Sequence, residues 1–145
     1  MSRPGPAGDG AASPHRIVNP VELAAPTGFA HAVVAAPGRA VYLGGQTAAD
    51  AAGRIGAPGL VGQFDAVLAN LVIALRAAGG EPQHLVSLTI YVTGIADYRA
   101  ATGQIGPVYR AHLGRHFPAM ALFAVGALAD PAAVVELIGI AVVPD

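Results

Sequence analysis

Leu85-Val86-Ser87-Leu88-Thr89-Ile90-Tyr91-Val92-Thr93 is the stretch that decides the fold. It alternates, it is rich in β-branched side chains, and Val86, Leu88, Ile90 and Val92 fall on one face at the period of a strand. Upstream the period changes. Phe64, Val67, Leu68, Leu71 and Leu75 recur at helical spacing, and Gly79-Gly80 stops the helix they define.

Residues 48–59 before that helix read as loop, punctuated by Gly53, Gly56, Pro58 and Gly59. Earlier still, an apolar run from His31 is broken at Pro37-Gly38-Arg39 and resumes as Ala40-Val41-Tyr42-Leu43 into Gly44-Gly45-Gln46, the pattern of a hairpin. Downstream, Asp97 is placed to cap a second helix from Tyr98. Gly103, Gly106 and Pro107 interrupt that helix, because proline removes a backbone donor and clashes with the preceding turn. Two last strands follow near 119–125 and 134–143, joined by Ala129-Asp130-Pro131. The order β-β-α-β-α-β-β predicts an α+β fold, one mixed sheet with two helices packed on one face. Residues 1–14, a Pro, Gly, Ala and Ser mixture without periodicity, read as a disordered tail, and 15–145 as a single domain.

Composition narrows the function classes. Only 12% of residues are charged and the net charge is -1, so nothing electrostatic favours nucleic acid or an anionic membrane as partner. So little charge leaves a monomer poorly solvated, and burial of one sheet face between subunits is the expected remedy. With no cysteine there is neither a disulfide framework nor thiol chemistry. No apolar run is expected to span a bilayer, and no basic-then-apolar leader opens the chain. The expectation is a cytoplasmic protein with neither cofactor nor metal.

Several landmarks together resemble the Rid (YjgF) family of reactive-imine deaminases. They are Val41-Tyr42-Leu43-Gly44-Gly45-Gln46, Asn70-Leu71 with Ala77-Ala78-Gly79, Ser87-Leu88-Thr89-Ile90-Tyr91-Val92, Phe117-Pro118-Ala119, and Val135-Glu136-Leu137. Their order and spacing carry the resemblance, over about 28–143. It implies a homotrimer with a pocket in each cleft between subunits, and hydrolysis of enamines or imines to a keto acid and ammonia. It also implies an arginine for the substrate carboxylate, a glutamate that positions or activates water, and serine, tyrosine and asparagine in the pocket. Carried over, the glutamate is Glu136, but the arginine falls at Met120, the serine at Gly44, the tyrosine at Phe29 and the asparagine near Gly106. About four extra residues, around Thr102-Gly103-Gln104-Ile105, would reshape the pocket mouth. A thioether cannot form a bidentate, charge-assisted pair with a carboxylate. Some Rid relatives have been described as ribonucleases, yet no basic stripe here supports that activity.

Glu136 is the sharpest catalytic candidate. It interrupts an apolar strand, where an ionised carboxylate is costly unless paired, which suits a general acid or base. The competing reading is a structural carboxylate hydrogen-bonded at a subunit interface. His31 could donate a proton or bind a polar ligand group, although a histidine bonded to backbone is the plainer reading. His112 and His116, spaced i and i+4, read as a solvated helix end rather than a metal pair. Gly44-Gly45 lacks the helix and lysine of a phosphate loop and serves better as exposed backbone in the cleft. Phe29, His31, Gly44, Gly45, Tyr91, Gly106, Met120 and Leu122 are the expected ligand-lining positions, while Tyr91 and Tyr109 also read as packing residues.

Arg to Met, Tyr to Phe and Ser to Gly each remove a polar contact. The sequence therefore reads first as a Rid-like enzyme for a small, largely apolar imine, enamine or carbonyl compound, with hydrolysis, tautomerisation or a lyase or cyclase step in a specialised pathway as the candidate reactions. A non-catalytic ligand-binding or regulatory trimer is the alternative. Ordinary 2-aminoacrylate or 2-iminobutanoate deamination comes last; for it, Arg39, Arg99, Arg110 or Arg115 would have to reach in from a neighbouring subunit.

Overall fold

In a computed structural model, which describes residues 11–145, the strand anticipated at 85–93 is an interior strand of a four-stranded sheet. The elements in chain order are β1 (Arg16–Val18), β2 (Ala32–Val34), β3 (Arg39–Gln46), α1 (Gly59–Ala77), β4 (Leu85–Val92), α2 (Ile95–Ala100), α3 (Thr102–Leu113), β5 (Ala119–Ala124) and β6 (Val135–Val143). The sheet runs β3-β6-β4-β5, with β4 and β5 parallel and the other pairs antiparallel. A parallel pair needs a crossover, which α2 and α3 supply. The mixed sheet and the α+β class are as expected. Of the expected tail, 1–10 lie outside the described residues, and Ser13 Oγ donates to the Gln83 carbonyl at 2.8 Å.

Period two in β6 sets what faces where. Val135, Leu137, Gly139, Ala141 and Val143 are buried, while Glu136, Ile138, Ile140 and Val142 lie on the opposite face. The buried set meets Leu43 of β3, Leu88, Ile90 and Val92 of β4, and the helical stripes Phe64, Val67, Leu68, Leu71 and Leu75 of α1 and Ile105, Tyr109 and Leu113 of α3. Fully burying each such aliphatic side chain contributes about 1.5–3 kcal/mol. In α1 the stripe ends where Gly79 takes φ +87°, with Gly79 N–H donating to Arg76 O and Gly80 N–H to Leu75 O, the glycine-terminated helix stop. The opposite sheet face is left apolar and open. Tyr42 is 77% exposed and Phe123 52% exposed, with Ile138 beside them.

Several expectations need correction. The second helix is two helices, so three lie over the sheet, and the break falls at Ala101 rather than at Pro107. Pro107 is the sixth residue of α3, where it forfeits one bond to the Gly103 carbonyl, and the glycines at 103 and 106 present no side chain to its ring. Gly94 caps α2, and Asp97 sits in its first turn, where a carboxylate favours the helix dipole. The hairpin from His31 to Gln46 does not form. The short β2 takes β1, a strand the sequence pattern did not disclose, while β3 finds a longer ladder along β6, from Arg39 opposite Val143 to Gln46 opposite Leu137. A bulge between Leu85 and Ser87 brings Leu85 rather than Val86 onto the buried face. Finally, α1 is by length and composition a helix that could cross a bilayer. Its buried stripe lies against the sheet, as in a core helix.

Two polar devices join the layers. The Gln63 amide, buried on α1, donates to Ala132 O at 3.0 Å and to Ala57 O at 3.3 Å and accepts from Val134 N–H at 2.9 Å, pinning the approach to β6. His116 Nε2 donates to Leu85 O at 2.7 Å and its own carbonyl accepts the Tyr109 hydroxyl at 2.7 Å, tying the end of α3 to the start of β4. Burial pulls the His116 imidazole below the ordinary 6.5, and the nearby His15 and His84 act in the same direction against its bond to Leu85. The unfolded chain then binds more protons than the folded one once pH drops below about 6.5, so stability falls on acidification through the region beneath that value. Melting temperature measured between pH 7.5 and 5 should therefore decline, and His116→Gln should flatten that decline. Gln63→Leu leaves Val134 N–H without its partner and should cost about 2–3 kcal/mol in urea unfolding.

Candidate functional site

The segment at 28–31 is drawn against the start of β5. Ala30, 3% exposed, donates its N–H to Pro118 O at 3.0 Å and bridges Ala119 in parallel. A cleft of about 350 Å³ opens beside this junction. Phe29, Ala30 and His31 line one wall, and Ser87, Leu88 and Thr89 of β4 with Ala119, Met120 and Ala121 of β5 line the other. The Phe29 and His31 rings meet edge to face, 5.2 Å between centroids. His31 is anchored at both ends of the residue: its N–H donates to Asn19 Oδ1 at 2.9 Å and its Nε2 to Ala24 O at 2.7 Å. Nδ1 is the ring atom left for a ligand, an acceptor when the ring is neutral.

Of the expected lining residues, the cleft thus gathers Phe29, His31 and Met120. Met120 stands in register with Leu88 on the helix side of the sheet, where it packs against the core while reaching the cleft at the head of β5. Leu122, in register with Ile90, packs against the core and is absent from the cleft lining. Gly106 lies within α3, where an added Cβ would stand 3.2 Å from the Arg110 guanidinium. The extra residues at 102–105 are helix rather than a loop at the mouth, and none lines the cleft. His112 pairs with Asp65 at 2.6 Å across α1 and α3 while His116 bonds backbone, so the two histidines serve different partners. Arg39 pairs with Asp145 at 3.8 Å.

Glu136, Gly45 and Tyr91 form a second group on the open sheet face. Glu136 sits opposite Tyr91, whose ring stacks on Phe123 at 6.1 Å. A bulge between Leu43 and Gln46 brings Gly45 under the carboxylate: a Cβ at Gly45 would collide with Glu136 Oε1. Gly44 beside it is exposed, and its carbonyl accepts from the Gln46 amide at 3.4 Å. Among the described residues Glu136 makes neither a side-chain hydrogen bond nor an ion pair. It does not line the cleft, but it is a diagonal cross-strand neighbour of Thr89 on the same face, a relation that puts Cα atoms roughly 7–8 Å apart.

Ser87 and Thr89 are the polar cleft residues that sequence reasoning passed over, beside Ala30, Leu88, Ala119 and Ala121. Their signal was present: two hydroxyls at i and i+2 in a strand whose other face is apolar. The cleft lining holds no lysine or arginine. Its chemistry is neutral hydrogen bonding beside apolar surface, with an unpaired carboxylate one strand away.

Comparison with known proteins agrees with this architecture. A structure from Yersinia pestis, described as a protein of unknown function of the conserved Rid protein family, YyfB, is 35% identical, with a TM-score of 0.75 over 89% of this chain and 98% of that one. RidA from an Antarctic Psychrobacter is 27% identical, with a TM-score of 0.64 over 83% and 92%. The goat (Capra hircus) protein named 2-iminobutanoate/2-iminopropanoate deaminase is 32% identical over 91 residues, 62% of this chain and 64% of that relative's own length, under two thirds of it. The family described as endoribonuclease L-PSP matches residues 20–143. The chain belongs to that family, the YjgF or Rid family.

Proposed function

We propose that this chain acts on a small, largely apolar imine, enamine or carbonyl compound, in a cleft completed by a neighbouring subunit, with Glu136 moving the proton. The observation that carries the reading is the Glu136 carboxylate, left without a side-chain partner on a strand and seated over a glycine that makes room for it. Among the described residues of one copy no side chain holds this carboxylate, which leaves it available to exchange a proton beside apolar surface. In imine hydrolysis it takes a proton from water as the oxygen adds to carbon. It gives that proton to nitrogen, forming an amino alcohol, and then carries the hydroxyl proton to nitrogen as the C–N bond breaks, giving carbonyl and ammonia.

The goat relative is named for imines that carry a carboxylate. With methionine at position 120 and no cation in the cleft lining, carboxylate-bearing substrates of that kind lose their counter-charge. The apolar open face, with Tyr42, Phe123 and Ile138, supports association of copies, and a homotrimer is the assembly we propose.

The decisive comparison uses two imines generated in the cuvette, one from butylamine by an amine oxidase and one from 2-aminobutanoate by an amino-acid oxidase. Ammonia release from the butylamine imine should be accelerated over background, and more strongly than release from the carboxylate-bearing imine. Glu136→Gln, nearly isosteric over Gly45, should cut that acceleration by about 10²–10⁴-fold while leaving the fold intact. Unchanged rates in the variant would remove Glu136 from the chemistry. No acceleration of any imine would favour a trimer that binds without turnover.

A further inference from the structure

We infer that Ser87 and Thr89 make this cleft a receptor for an uncharged carbonyl, and that it discriminates against the corresponding carboxylate. The inference rests on the cleft being the ligand site proposed above, and it names what the site selects. Both hydroxyls sit on the open face of β4 in register with Ala119 and Ala121 of β5, whose methyl groups leave the space in front of them clear. Among the described residues neither hydroxyl has a hydrogen-bond partner. Two hydroxyls two residues apart on a strand point the same way, so they can donate together to the two lone pairs of one carbonyl oxygen.

The rest of the lining sets the selectivity. Phe29 and the Ala119 and Ala121 methyl groups offer apolar surface to the carbon skeleton, and His31 offers Nδ1 once Nε2 is committed to the Ala24 carbonyl. A neutral Nδ1 lone pair accepts a hydroxyl or N–H on the ligand and repels an anionic oxygen. With no lysine or arginine in the lining and an unpaired Glu136 diagonal to Thr89, a second negative charge here would be desolvated next to the first. An ester, ketone or amide oxygen carries no such penalty and still satisfies both hydroxyls.

A matched pair of probes tests this: methyl 2-oxobutanoate and 2-oxobutanoate, titrated against the full chain and followed by ligand-observed NMR. The ester should bind at least tenfold more tightly than the carboxylate. The double variant Ser87→Ala with Thr89→Val should weaken ester binding on the order of tenfold, the loss expected from two neutral hydrogen bonds. Thr89→Ser, which keeps the hydroxyl, should retain it and controls for disturbed packing. If both probes bind and the carboxylate binds as well as the ester, the selectivity is wrong although the cleft remains a ligand site. If the ester binds equally to the double variant, the hydroxyls are not its partners. Binding of neither probe would overturn this inference and the proposed site together.

Discussion

The alternation of β6 is the constraint from which the rest of the molecule follows. It is paired on both sides, by β3 and by β4, and every second residue is committed to the helices. With Val135, Leu137 and Ala141 fixed inward, Glu136 must stand on the outer face with Ile138 and Ile140. Burying Glu136 by a one-residue slip would expose the whole apolar set, at about 1.5–3 kcal/mol for each fully buried aliphatic side chain. A carboxylate placed in this way is held by the hydrophobic core, without any hydrogen bond of its own.

The same logic separates Met120 from Glu136. Parallel pairing with β4 turns Met120 toward the helices, so it meets the cleft only where β5 begins and the segment at 29–31 comes alongside. Side chains that belong to one set in a family pattern therefore divide between the two faces of the sheet in a single copy of the chain. Electrostatics sharpens the difference. A cleft walled by aromatic, thioether and methyl groups with hydroxyls and an imidazole has hydrogen-bonding capacity but no fixed positive charge in its lining.

Much of this was legible in the sequence. The stripe from Phe64 to Leu75 and the alternation at 85–93 gave the layers, because one period fills a helix face and the other a strand face. What escaped depended on contacts between distant segments. β1 is three residues long and exists because β2 lies opposite it. The bulge at Leu85–Ser87 shifts the buried face by one residue, and only the partner strand reveals it. The usual effect of Pro107 predicts a break there, yet the break lies at Ala101, where one residue ends α2 and begins α3. At the site, family resemblance directed attention to the altered positions and away from Ser87 and Thr89, which alternation alone places together.

The bulge between Leu43 and Gln46 has a consequence beyond making room under Glu136. It acts as a phase shifter: one surplus residue on β3 lets Gln46 arrive opposite Leu137 in step with β6. Just beyond it, the Asn70 amide holds the carbonyls of Thr47 and Ala49, each at 2.9 Å, so the exit of the strand is clamped to α1. Deleting one residue between these two fixed points would demand a backbone displacement of about 3.3 Å, the rise of one strand residue. The count of residues from 43 to 47 is therefore as strictly specified as their identity.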